Sequence, residues 1–188
     1  MMTPDFPSLP ELIALAGKLS AKEFVGRFPH HYLITESVGS ATASPDNLFK
    51  TREVSTFKAT QQRGLLAVTP VVKREGVNPW SSMITLGRAR NNDVPITDIS
   101  VSKVHAWIRR AEGTEGSESE GGFSITDAGS RNGTFVNGVA VSREPHPLPV
   151  GARLRLGLVE FWFVDGGGLY DALRGGAQSS TPTPTPRP

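Results

Sequence analysis

Asp127-Ala128-Gly129-Ser130-Arg131-Asn132-Gly133-Thr134-Phe135-Val136-Asn137-Gly138 is the stretch on which the fold turns. It holds two Asn-Gly pairs, Asn132-Gly133 and Asn137-Gly138, five residues apart. Both residue types tolerate positive φ, so each pair marks a tight turn. Between the pairs, Thr134, Phe135 and Val136 are strand formers. The expectation is a strand ending near Asp127, a tight turn, a very short strand and a second turn. A loop so constrained holds backbone N–H groups and an Asn amide in fixed positions, either as architecture or as a binding site.

Working outward, short strand patterns flank this stretch on both sides. They run over Leu65–Lys73, Met83–Leu86, Val94–Ile96, Val104–Arg110, Phe123–Thr126, Thr134–Val136, Arg153–Leu156 and Val159–Val164. Seven or eight such strands with no helix between them predict an all-β fold, an antiparallel β-sandwich. Glu112–Gly122 carries four acids and no apolar residue, so it reads as a solvated loop. Antiparallel neighbours alternate direction, so successive hairpin loops alternate ends. The loop before strand 104–110 and the loop after strand 123–126 therefore share one end, opposite the acidic loop. That places Ser100–Lys103 beside Gly129–Asn132.

The flanks differ in character. Ser8 and Pro10 open a helical pattern in which Leu9, Leu12, Ile13, Ala16 and Leu19 recur at helical spacing. Ala21–Phe28 reads as a second short helical turn, and His31–Thr35 and residues 51–58 as candidate strands. The helix has an apolar face to cover, against the following domain or against a partner. Three glycines follow Asp165, then Leu169–Arg174 as a helical turn, then a tail in which Thr181, Thr183 and Thr185 each precede proline. Alternating proline favours an extended, disordered coil. The Thr-Pro pairs suit proline-directed kinases, and once phosphorylated they would be candidate ligands for the same chain. The expected domains are an N-terminal extension at 1–60, the sandwich at 64–165 and a flexible tail at 166–188.

Composition narrows the function classes. The chain has 188 residues, no cysteine and a formal charge of +2. The small charge argues against nucleic acid as a partner. The lack of cysteine removes disulfides and thiolate metal sites. No leader pattern or long apolar run is visible, so a cytoplasmic location without membrane association is expected. No Walker lysine loop, metal-ligand spacing or nucleophile elbow is present, so no enzyme, catalytic residue, cofactor or metal is expected.

Four pieces fall on one end of the sandwich: Gly87-Arg88, Asn92-Asp93, Ser100–Ala106 and Ser130–Thr134. Their side chains are nearly all donors, as an oxyanion requires. A phosphothreonine carries about −1.5 to −2 charge at neutral pH. Each charge-assisted hydrogen bond to it contributes about 1.5–3 kcal/mol.

The motifs Gly87-Arg88, Asn92-Asp93, Ser102-Lys103-x-His105-Ala106, Asp127, Ser130-x-Asn132-Gly133-Thr134 and Val136-Asn137-Gly138 resemble the forkhead-associated (FHA) domain. The closing Gly151-x-x-Leu154-x-Leu156-Gly157, with Phe161 and Phe163, does so too, and the match runs over roughly residues 64–165. The resemblance implies a β-sandwich of about eleven strands that binds phosphothreonine peptides at a loop end, without cofactor or metal. It implies that Arg88 contacts the phosphate or peptide backbone, that Ser102 donates its hydroxyl to the phosphate, and that Lys103 and Arg131 lie on the phosphate side. It implies that Asn132 holds the peptide backbone and that Ser100 reads the residue three beyond the phosphothreonine. Gly87, His105, Gly133 and Asn137 are expected to be structural support. Two positions depart from the family pattern: Lys103 replaces a commoner Arg, and Ala152 stands where Asp is usual. The implied role is an adaptor for a Thr-phosphorylated protein, a Ser/Thr kinase or its substrate. The alternative is a scaffold that binds unphosphorylated protein through the N-terminal helix or a sheet face.

Overall fold

The structure, a computed structural model, describes residues 6–37, 65–110 and 122–174. The candidate strand at 51–58, the acidic loop over 112–121 and the Thr-Pro tail lie outside these residues.

The chain opens with α1 (Leu9–Lys18) and α2 (Ala21–Arg27). Each starts at a reciprocal Ser-x-x-Glu cap. Ser8 N–H donates to Glu11 Oε2 at 2.8 Å, and Ser20 N–H donates to Glu23 Oε2 at 2.9 Å. Eleven strands follow among the described residues: β1 (His31–Ser37), β2 (Leu65–Val71), β3 (Ile84–Gly87), β4 (Val94–Pro95), β5 (Ala106–Arg110), β6 (Phe123–Asp127), β7 (Thr134–Val136), β8 (Val139–Val141), β9 (His146–Leu148), β10 (Ala152–Leu156) and β11 (Val159–Val164). A last helix, α3 (Gly166–Leu173), ends the described chain.

Two sheets form the sandwich, in the orders β2-β1-β11-β10-β7-β8 and β4-β3-β5-β6-β9. Pairing is antiparallel apart from β3 with β4, which run parallel. Side chains alternate across each strand. In β10, Ala152, Leu154 and Leu156 face the core while Arg153 is exposed. Leu33, Leu86, Ile108, Ile125, Val136, Leu154, Leu156 and Phe163 build the core between the sheets. Each such large apolar side chain contributes about 1.5–3 kcal/mol by leaving water.

A second core covers the outer face of the larger sheet. Tyr32 and Ile34 of β1 pack against Leu12, Ala16, Phe24, Phe28, Leu169 and Leu173 of the three helices. The apolar face of α1 is therefore spent on the sandwich. The glycines after Asp165 belong to this core and start α3. A Cβ on Gly166 would lie 2.4 Å from the Phe28 carbonyl oxygen, so only glycine lets α3 approach the end of α2.

Three expectations need adjusting. β1 lies between β2 and β11, so a boundary at residue 60 cuts through a sheet. The flexible tail does not begin at 166, because α3 buries Leu169 and Leu173. Two strands, β8 and β9, escape the sequence pattern. Each has three residues, and Pro147 in β9 removes a donor, which an edge strand tolerates. No helix among the described residues is long and apolar enough to cross a membrane.

Candidate functional site

The loops β3–β4, β4–β5, β6–β7, β8–β9 and β10–β11 meet at one end of the sandwich, tied to one another by hydrogen bonds. Gly87 opens the first. A Cβ there would lie 2.5 Å from the Lys103 carbonyl oxygen, so the glycine allows the β3–β4 and β4–β5 loops to touch. Ala89 N–H donates to that same carbonyl at 3.1 Å, and the buried Asn92 amide donates to it at 2.7 Å.

Asp93, beside it, is a buried carboxylate. It accepts from Thr85 N–H at 2.8 Å, Thr85 Oγ1 at 3.0 Å, Arg74 N–H at 2.9 Å, Asn78 Nδ2 at 3.0 Å and Lys73 Nζ at 3.0 Å. Burial works to raise its pKa, but these donors outweigh burial and bring it down to about 2.

His105 joins two loops. Ser102 N–H donates to His105 Nδ1 at 3.0 Å, which makes Nδ1 the acceptor and places the proton on Nε2. Nε2 then donates to the Gly133 carbonyl at 3.1 Å. The ring is fully buried. Burial lowers its pKa, while the Gly133 bond and the Asp127 charge pull the other way, and the net direction is down.

Asp127 anchors the β6–β7 loop. It accepts from Gly129 N–H at 2.7 Å, Ser130 N–H at 2.7 Å, Ser130 Oγ at 2.7 Å and Thr134 Oγ1 at 2.6 Å. Burial opposes ionisation, but these bonds hold its pKa below the usual carboxylate range.

On this frame, Ser102 Oγ accepts from Arg131 N–H at 3.0 Å. A hydroxyl in that role keeps its own proton free to donate. Arg88 Nε donates to the Val101 carbonyl at 3.2 Å, which anchors an exposed guanidinium and leaves its terminal nitrogens unbonded among the described residues. Lys103 and Arg131 are exposed and have no ion partner among the described residues. Asn132 Nδ2 donates to the Ser100 carbonyl at 2.7 Å, leaving Oδ1 without a partner among the described residues. The positive φ in the Asn132-Gly133 turn falls on Gly133, at 77°, and not on Asn132. In the second turn both residues take positive φ, Asn137 at 50° and Gly138 at 83°. Asn137 also ties β10, because its Oδ1 accepts from Arg153 N–H at 2.9 Å.

Ser100 is not placed to read a ligand. It is 7% exposed, its Oγ donates to Asp98 Oδ1, and that Oγ accepts from Leu158 N–H at 2.9 Å. The serine is a strut between loops. Its hydroxyl is small enough to be drawn inward, and the sequence carries no mark of that. The exposed side chains around this strut are Ile99, at 93%, and Leu158, at 80%. They are the two most exposed large apolar residues among those described, and sequence reasoning overlooked both.

The three aspartates of this end, Asp93, Asp98 and Asp127, are occupied by internal donors. The exposed charged residues of these loops are Arg88, Arg90, Lys103, Arg131, Arg143 and Glu144, a cationic balance. Together with a two-sheet frame of eleven strands, this geometry matches the independent sequence comparison. The family model described as the FHA domain matches residues 84–157.

Residues 84–157 are an FHA domain.

The match takes in Arg88, Ser102, Lys103, Arg131 and Asn132 and excludes the helices. The chain is 34% identical over 85 residues to a Corynebacterium diphtheriae protein named oxoglutarate dehydrogenase inhibitor, covering 44% of this chain and 50% of that one. A Corynebacterium glutamicum protein of the same name gives 34% over 85 residues, covering 44% and 50%. The chain spans about half the length of the curated relatives it matches. Among solved structures, it is similar to the MEK1 FHA domain at 19% identity and a TM-score of 0.45, covering 77% of this chain and 95% of that chain. It is also similar to the yeast Dun1 FHA domain in complex with a doubly phosphorylated peptide, at 19% identity and a TM-score of 0.44, covering 74% and 94%.

Proposed function

We propose that this chain binds a phosphothreonine segment of another protein at the loop end of its FHA domain and acts as a non-enzymatic adaptor. One observation carries the reading. Ser102 Oγ is held by Arg131 N–H with its proton left free, on the same loop end as the anchored guanidinium of Arg88 and with Asp127 already engaged by its own loop. A phosphate with several acceptor oxygens suits that set, and a bare threonine hydroxyl does not. Lys103 and Arg131 add positive charge, Lys103 as a point charge without the fork of an arginine. Asn132 Oδ1 accepts a backbone N–H of the ligand. Ile99 and Leu158 suit an apolar residue of the ligand on the Ser100 side. The partner is a protein phosphorylated by a Ser/Thr kinase, or that kinase. Binding to unphosphorylated protein through the N-terminal helix finds no support, because the helix spends its apolar face on Tyr32 and Ile34.

The test is a phosphothreonine peptide library set against its unphosphorylated twin, read by fluorescence anisotropy, with Arg88→Ala and Ser102→Ala proteins alongside. Loss of one charge-assisted bond of about 1.5–3 kcal/mol lowers affinity roughly tenfold to a hundredfold. Equal binding to both libraries, or full affinity in both variants, refutes the proposal.

A further inference from the structure

Arg143 lies in the β8–β9 loop, outside the residues that the family resemblance singles out. This loop sits against the β6–β7 loop, since Asp127 N–H donates to the Ser142 carbonyl at 3.0 Å. The Arg143 guanidinium rests on Gly129. A Cβ at Gly129 would meet its Nη2 at 2.9 Å, and Gly129 has φ of 81°. The side chain is exposed and has no ion partner among the described residues. The neighbouring Asp127 is saturated by its own loop's donors. Arg143 is thus a held, unpaired guanidinium.

Its position relative to the phosphate donors follows from chain reach. Gly129 is two residues from Arg131, whose N–H touches Ser102 Oγ at 3.0 Å. Two residues span at most about 7 Å, so the guanidinium lies within about 13 Å of the Ser102 hydroxyl. An extended peptide advances about 3.3 Å per residue. The β6–β7 loop runs from Gly129, under Arg143, to Asn132, which is bonded to Ser100 near Ile99 and Leu158. Arg143 is therefore held at the Gly129 end of this loop, and the ties to the loops of Ile99 and Leu158 are at its Asn132 end.

We propose that Arg143 reads a second anionic group on the ligand, a carboxylate side chain two to four residues from the phosphothreonine on the flank away from Ile99 and Leu158. This rests on the phosphothreonine reading and names the ligand class more narrowly: an anionic residue on one side, an apolar residue on the other. Glu144 is next in sequence. Its N–H is engaged by Ser142 Oγ at 3.1 Å, and its carboxylate makes no ion pair with Arg143.

The experiment scans Asp through the four positions on each side of a phosphothreonine in an otherwise alanine peptide. Affinities are measured for wild type, Arg143→Ala, Arg143→Lys and, as a remote control, Arg109→Ala. On one flank only, Asp tightens wild-type binding about threefold to fivefold, as an exposed ion pair does. Arg143→Ala loses that gain and keeps its affinity for the alanine peptide. Arg143→Lys retains part of the gain, Arg109→Ala retains all of it, and raised salt erases it. An Asp effect that is the same in wild type and Arg143→Ala overturns the proposal. A uniform loss in Arg143→Ala across all peptides overturns it too, because Arg143 would then act on the phosphate or the loop. Equal wild-type binding of phosphorylated and bare peptides overturns both this proposal and the reading beneath it, and only that outcome reaches the latter.

Discussion

Replacing His105 with Phe keeps a ring in its place and removes both nitrogens, which isolates the two bonds that join the β4–β5 and β6–β7 loops. The bonds run from Ser102 N–H to Nδ1 at 3.0 Å and from Nε2–H to the Gly133 carbonyl at 3.1 Å. Each net hydrogen bond contributes about 0.5–1.5 kcal/mol, and a buried partner left unsatisfied costs about 1–3 kcal/mol. Ser102 and Gly133 are half-buried, so water relieves part of that penalty. The expected loss is about 2 kcal/mol, or roughly thirtyfold in the unfolding equilibrium. His105→Ala adds an emptied ring site and costs about 3 kcal/mol or more. Urea denaturation with an unchanged m-value measures both.

The same bonds fix a pH response. With Nδ1 accepting, protonation puts a second donor against Ser102 N–H. The folded pKa of His105 lies below its ordinary 6.5, so the neutral ring is the form that the fold favours. Its contribution is complete above about pH 6.5 and is lost as pH falls from there through the folded value. An NMR titration of the histidine ring reads tautomer and pKa together. A proton on Nδ1 at neutral pH, a pKa at or above 6.5, or stability of His105→Phe within about 0.5 kcal/mol of wild type refutes the reasoning.

Three other outcomes are expected. Asp93, held at about 2 against an ordinary 3.8, contributes about 2 kcal/mol above pH 4, lost as pH falls through 2; the stability of wild type and Asp93→Asn measured across pH 2–6 should converge at the acid end. Gly157→Ala forces a Cβ to 2.5 Å from the Ser100 carbonyl at φ of 62° and should cost both stability and phosphopeptide affinity, whereas Gly166→Ala, at 2.4 Å from the Phe28 carbonyl, should cost stability alone in paired melting and anisotropy assays. Ile99→Ser and Leu158→Ser should leave stability within about 0.5 kcal/mol and flatten any preference for apolar ligand residues in a peptide array, because both side chains are exposed in the free protein.

Much of the fold was legible because two signals recur along the chain, period-two alternation and Asn-Gly turns. Thr134–Val136 and Val159–Val164 have the bounds their patterns predict. β8 and β9 were not legible, since three residues carry too little periodicity and Pro147 argues against a strand. β1 was read as a candidate strand, but its partner β2 begins twenty-eight residues after it ends, and sequence distance hid the pairing. At the candidate site, loop alternation alone brought Ser102 beside Arg131, and the structure joins them through Arg131 N–H and Ser102 Oγ. The alternation rule places loops, but it does not say which way a side chain turns. Ser100 and Ser102 are two residues apart, yet one is spent on Asp98 and Leu158 while the other only accepts from Arg131 N–H among the described residues. Nothing in residue type separates them. Arg143 escaped notice because it lies in the loop between the two strands that the pattern missed.

The buried polar groups and the exposed cations form one arrangement. An end rich in Arg and Lys would ordinarily attract its own carboxylates and close on itself. Here Asp93, Asp98 and Asp127 are taken up by backbone N–H groups, hydroxyls, an amide and the distant Lys73. The internal donors hold the acids down, and the same bonds set the loops in place. Arg88, Lys103, Arg131 and Arg143 are left facing solvent without an ion partner among the described residues. A ligand anion meets loops that are already ordered, so little of its binding energy goes into ordering them. It follows that removing one inward acid harms binding by a different route from removing one outward cation. Asp127→Ala should loosen the β6–β7 loop and reduce the fraction of protein competent to bind, which lowers affinity for every ligand by one factor. Arg131→Ala should lower affinity in proportion to ligand charge and reduce its salt dependence. Measuring both variants against singly charged and doubly charged ligands separates the two routes.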